Sequence, residues 1–132
     1  MTYVLDASAI LALIQSEPGG ETVKKVLKKK PKPFMHAINI LEVEYKLRRK
    51  QPKALAEKSI RWLKKAPLTV AEVLTPQITN YSRYLKSKHN LSLGDSIGLG
   101  LAKFIGYPFL TADRRELEPI AKSEKVKIEF LR

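Results

Sequence analysis

Residues 91–117, LSLGDSIGLGLAKFIGYPFLTADRREL, decide how this chain is organised. Ser92 opens an amphipathic helix with Ile97, Leu99, Leu101 and Phe104 apolar, and Gly106 ends it. Phe109-Leu110-Thr111 then reads as a short apolar strand and Arg114 as the start of another helix. Each half carries one aspartate, Asp95 near a helix N-terminus and Asp113 just past a strand end. The beginning of the chain repeats the second arrangement: Tyr3-Val4-Leu5 runs into Asp6 and then the helical Ala7-Ser8-Ala9-Ile10. Asp6, Asp95 and Asp113 are the only aspartates in the sequence, and all three stand at such junctions.

Working outward, the first helix has Ile10, Leu11, Leu13 and Ile14 as its expected apolar side, and Glu17-Pro18-Gly19-Gly20 ends it. A helix over about Glu21 to Lys29 sets Val23, Val26 and Leu27 against a lysine-rich face. Pro31 and Pro33 stop it before a short strand, Phe34-Met35-His36. A helix from about Asn39 to Arg49 carries Glu42 in its first half and Arg48, Arg49 and Lys50 at its end, a polarity that suits the helix dipole. Pro52 opens a fourth helix to Lys65, and Leu68-Thr69-Val70 is a strand. Pro76 begins a helix to Lys88 with Ile78, Tyr81, Tyr84 and Leu85 as a stripe. Val126 to Phe130 alternates like a half-exposed edge strand. Strands alternating with helices predict an α/β fold: an α/β/α sandwich around a mostly parallel sheet, as a single domain over residues 1–132.

The composition narrows the function classes. At 132 residues with 44% hydrophobic content, the chain can bury a core, and with no cysteine it has neither disulfides nor thiolate metal ligands. No apolar run approaches the ~20 residues that cross a bilayer, and no basic region precedes the first apolar run. A cytoplasmic location without membrane contact is the expectation. With 25 Lys+Arg against 13 Asp+Glu the net charge is +12, a field that attracts polyanions, nucleic acid first.

Loops after parallel strands gather along one sheet edge, where ligands bind. Asp6 and Asp113 each follow a strand, Glu42 lies on the helix entered after the second strand, and Asp95 starts the helix feeding the fourth. Neighbouring carboxylates repel by ~4 kcal/mol at ~4 Å and an effective dielectric of ~20. Protons or a divalent cation relieve such a cluster, and carboxylate oxygens suit Mg²⁺ or Mn²⁺. Each acid also has a plain reading as a helix cap: Asn39-Ile40-Leu41-Glu42, Ser92-Leu93-Gly94-Asp95 and Asp113-Arg114-Arg115-Glu116 all have capping-box spacing.

Taken together, VLDASAILALI (4–14), INILEVEYKL (38–47), SLGDSIGLGLA (92–102) and FLTADRREL (109–117) resemble the PIN-domain nucleases, and among them the compact VapC-type ribonuclease toxins. The resemblance spans nearly the whole chain, in the family's motif order. It implies a five-stranded parallel sheet and an acidic pocket for one or two Mg²⁺ or Mn²⁺ ions, with Asp6, Glu42, Asp95 and Asp113 as catalytic metal ligands. Ser8 matches the hydroxyl residue after the first aspartate and Thr111 the one before the last, both in supporting positions. The chain departs from the pattern where Leu117 replaces a usual aromatic, and where Arg114 and Arg115 precede Glu116 in a region that carries an extra acid in some relatives.

The implied reaction is metal-assisted hydrolysis of RNA phosphodiester bonds leaving 5′-phosphate and 3′-hydroxyl ends. Arg48, Arg49, Arg114 and Arg115 are candidates for holding phosphates, with Lys24 to Lys32 as a further basic stretch. The resemblance also implies a VapB-like protein antitoxin and a homodimer, with the helix faces carrying Trp62, Tyr81 and Tyr84 as candidate interface. Two other readings remain open at this point: a PIN nuclease without an antitoxin, acting on RNA or DNA, and an idle nucleic-acid-binding domain whose acids are only caps. His36 is expected to be packed or solvated and His89 to break a helix.

Overall fold

A computed structural model describes all of residues 1–132. In chain order the elements are β1 (Val4–Leu5), α1 (Ala7–Ile14), α2 (Gly20–Lys28), β2 (Phe34–His36), α3 (Ala37–Lys50), α4 (Lys53–Lys65), β3 (Thr69–Ala71), α5 (Pro76–Lys88), α6 (Leu93–Ile105), β4 (Phe109–Thr111), α7 (Arg114–Ser123) and β5 (Ile128–Phe130). The five strands form one sheet in the order β3-β2-β1-β4-β5, and every neighbouring pair is parallel. Val4 is in register with Phe34 on one side and Phe109 on the other, and Leu5 with Leu110. From β1 the chain builds one half of the sheet through β2 and β3, then crosses back to lay β4 on the other side of β1. That reversal puts a crevice beyond the ends of β1 and β4.

Alternation along the strands divides the core in two. Leu5 and Leu110 point into one cluster with Ile10, Met35, Val43, Leu47 and Leu63, covered by α1 to α4. Val4 and Phe109 point into the other with Ile78, Leu85, Leu99, Leu117 and Ile120, covered by α5 to α7. The result is the expected α/β/α sandwich. β5 lies at a sheet edge and is half-buried, as its alternation predicts.

Two expectations need correction. α1 buries Ala7, Ala9, Ile10 and Ala12, while Leu11, Leu13 and Ile14 are only partly covered. The reason is close helix packing: a Cβ at Gly20 would lie 2.6 Å from the Ala12 carbonyl oxygen, so α1 and α2 meet through small residues. α3 starts two residues before Asn39, because His36 is its cap, with Nδ1 accepting the Ile38 N–H at 3.1 Å. No helix is long and apolar enough to cross a membrane.

Candidate active site

The site begins with Asp6, which leaves β1 and caps α1 by accepting the Ala7 N–H at 2.8 Å. Its other oxygen accepts the hydroxyls of Ser8 at 2.8 Å and Thr111 at 2.7 Å. Those hydroxyls in turn accept the N–H groups of Ala112 at 2.9 Å and Asp113 at 3.0 Å. Each hydroxyl thus donates once and accepts once, tying the end of β1 to the end of β4 and fixing the Asp6 carboxylate in one orientation.

Glu42 stands in the second turn of α3. The buried Asn39 amide donates to Glu42 Oε1 at 2.9 Å and to the Gly94 carbonyl at 3.0 Å. Both amide hydrogens are spent on these acceptors, and Asn39 Oδ1 is left buried without a partner. Asn39 is therefore no cap but the link that holds Glu42 against α6. Gly94 makes the approach possible, since a Cβ there would overlap the Glu42 carboxylate.

Ser92 caps α6 by accepting the Asp95 N–H at 3.1 Å, as its spacing predicts. The reciprocal half of the box is made by another residue: Glu116 Oε1 accepts the Ser92 N–H at 2.7 Å. Asp95 is thereby released from capping, and it is buried at 7% exposure. Asp113 caps α7 by accepting the Glu116 N–H at 3.0 Å.

All four acids singled out in the sequence, Asp6, Glu42, Asp95 and Asp113, line one cavity of about 160 Å³ at the switch point of the sheet. Ser8 lies in its wall, Thr111 is bonded to Asp6 behind it, and Tyr45 and Lys46 complete the α3 side. Glu116 lines it too, a fifth acid that the sequence placed in a capping box and in the region where some relatives carry an extra acid, but not among the metal ligands. Asp95, Asp113 and Glu116 offer carboxylate oxygens all within 4.8 Å of one another. The signal for Glu116 was its Asp-x-x-Glu spacing, which puts both residues in one helical turn. The cavity shares Ser92, Asp113 and Glu116 with an open basin of about 570 Å³ whose wall includes Arg115.

The electrostatics match this crowding. Burial, and then the carboxylates of Asp6 and Glu116, push the Asp95 carboxyl far above the ordinary range. Burial also raises Glu42, aided by Asp6 and opposed by the Asn39 hydrogen bond and Lys46. Hard oxygen donors in this number and spacing fit Mg²⁺ or Mn²⁺.

Of the candidate phosphate ligands, Arg48 pairs with Glu57 at 2.6 Å. Arg114 pairs with Glu118 at 3.0 Å, donates to the Arg132 carbonyl and lies 4.4 Å over the Phe130 ring. Arg49 covers the Tyr45 ring, and Arg115 faces the basin. His36 is packed at 1% exposure, and His89 ends α5 with Nε2 2.6 Å from a Glu124 oxygen.

A family model of the PIN domain matches residues 3–122. The chain belongs to the PIN domain family. Ribonuclease VapC42 of Mycobacterium tuberculosis is 27% identical over 114 residues, taking in 81% of this chain and 87% of that protein. Among solved structures, VapBC2 from Rickettsia felis, bound to a DNA fragment from their promoter, matches with a TM-score of 0.77 at 14% identity over 98% of both chains. Mycobacterium tuberculosis VapC20, a Sarcin-Ricin loop cleaving toxin, matches with a TM-score of 0.71 at 15% identity over 89% of this chain and 95% of that one. At such identities the structural matches show the shared PIN fold. In this PIN domain the acids are delivered by the end of β1, the body of α3 and the starts of α6 and α7.

Proposed function

We propose that residues 1–132 act as one unit, a cytoplasmic VapC-type ribonuclease toxin that hydrolyses RNA with Mg²⁺ or Mn²⁺ held by Asp6, Glu42, Asp95 and Asp113, joined by Glu116. The observation that carries this reading is the meeting of five carboxylates from four separate elements in one small cavity. The VapC names of the sequence relatives favour RNA as the substrate.

A bound divalent ion would supply a more acidic water and neutralise charge on the phosphoryl group in the transition state. The chain's own part is positioning. Ser8 and Thr111 keep the Asp6 carboxylate from rotating, and Asn39 does the same for Glu42, so the ligand oxygens are set before an ion arrives. Lys46 is the one cationic side chain in the cavity wall, placed to meet a phosphate oxygen. Arg115 extends that attraction into the adjoining basin. The regulatory partner on this reading is a VapB-like antitoxin that covers the cleft. The half-exposed Trp62 and Tyr84, with Tyr81 stacked on Tyr84, supply the surface for a homodimer.

The test is cleavage of labelled single-stranded RNA in Mg²⁺ or Mn²⁺, in EDTA, and by a folded Asp95→Asn variant. Cleavage that requires the ion, yields 5′-phosphate ends and disappears in the variant is the expected result. RNA that is bound intact by a protein that takes up no ion would overturn it.

A further inference from the structure

The face of α3 that carries Glu42 continues beyond the cavity. Glu42, Tyr45, Lys46 and Arg49 stand at positions i, i+3, i+4 and i+7 of the helix and so share one face. The first three line the acidic cavity. Arg49 lies two turns from Glu42, ~10 Å along the axis at ~1.5 Å per residue, with its guanidinium 5.3 Å from the centre of the Tyr45 ring. Tyr45 is 40% exposed, on the side of the helix away from the wholly buried Val43 and Leu47. The fold therefore leaves an aromatic ring half-exposed at the rim of the acid cluster, with the Arg49 cation over it.

An intrahelical Tyr–Arg pair in solvent accounts for the contact between the two side chains. It does not account for the ring's place in the wall of the cavity. Unpaired RNA bases present faces that stack on aromatic rings and guanidinium planes, and such stacking needs no base-edge partners. Lys46, adjacent on the same face, would meet the phosphate of a nucleotide so held.

We infer that Tyr45 and Arg49 form a stacking platform for a nucleobase of single-stranded RNA beside the scissile phosphate. The inference rests on the ribonuclease reading and adds a base-binding site to it. The platform holds the strand against α3, so the phosphate next to the stacked base falls at the carboxylates. Because the contact is made to the π face, it grips any base and favours purines by their area.

Binding to the Asp95→Asn protein in Mg²⁺ tests this by fluorescence anisotropy, with a short labelled RNA in which an abasic residue is moved one position at a time. At one position the abasic residue should weaken binding roughly 5- to 150-fold, the range for loss of one stacked base. Tyr45→Ala on the same background should weaken intact RNA by a similar factor and abolish the penalty at that position. Tyr45→Phe should stay within about 2-fold of the parent, because the ring face is retained. Unchanged helicity by circular dichroism separates these effects from unfolding. The platform is overturned if the Asp95→Asn protein binds no RNA, if Tyr45→Ala binds as the parent does, or if its abasic profile keeps every penalty. Cleavage by the wild-type protein is scored apart, so a failed ribonuclease reading shows there and a failed platform shows in the abasic profile.

Discussion

Asp95 binds a proton in the ion-free protein that it would release in the unfolded chain, because its folded pKa is raised from 3.8 by burial and by neighbouring acids. The stability tied to that proton is fully present below the unfolded value and is lost as pH rises toward the folded one. In EDTA, Asp95→Asn should therefore be more stable than the wild type, by a margin that widens from pH 5 to pH 8 and reaches ~1–3 kcal/mol. Urea unfolding across that range measures the margin, and a constant difference would contradict the assignment. Mn²⁺ should offset or reverse the order by stabilising the wild type more than the variant. Glu42 depends on a narrower fit. Gly94→Ala should displace its carboxylate and lower Mn²⁺ affinity about 10-fold or more in a calorimetric titration, as losses of ligand support do. The three aspartates could be read from the sequence because their junction positions are local. The roles of Asn39 and Gly94 could not, since both depend on α3 lying against α6, a contact between residues 55 apart.

At the scale of elements, Glu116 joins the starts of α6 and α7 and so governs the distance between Asp95 and Asp113. Glutamine at 116 keeps a carbonyl oxygen for the Ser92 N–H but removes the charge, whereas alanine removes both. Glu116→Gln should keep the thermal stability and weaken Mn²⁺ binding. Glu116→Ala should weaken both, with a loss of ~1 kcal/mol for the missing cap. Equal Mn²⁺ affinity in the wild type and both variants, by titration, would remove Glu116 from the site. The strands were legible because short apolar runs precede turn residues and acids. The start of α3 was not, because Asn-x-x-Glu has capping-box spacing while the actual cap is a histidine. The inner face of α1 was only partly legible for another reason: apart from Ile10 its buried residues are alanines, chosen by close packing on α2 rather than by hydrophobicity.

Across the whole molecule, a chain of net charge +12 gathers all three of its aspartates, with Glu42 and Glu116, into one cleft. The surface field draws RNA in, and the cleft repels phosphate until a cation neutralises it. Log affinity for single-stranded RNA should fall with log salt at ~0.7 per phosphate engaged, and Arg115→Ala should lower that slope by about one contact. An unchanged slope in filter-binding assays would place RNA away from the basin. The alternation of strands and helices made the layered architecture legible from composition and spacing. The sheet order was beyond local reading, because nothing in the turns tells β4 to cross back beside β1. That crossing brings Asp113 to Asp6. The measurement that bears most directly on the site is an isothermal titration of the wild-type protein with Mn²⁺ at neutral pH, repeated on Asp95→Asn and Asp113→Asn. Saturable binding with proton release in the wild type, at least tenfold weaker in both variants, is the expected result. No binding by the wild type, or equal binding by all three proteins, would contradict a catalytic ion in this cleft.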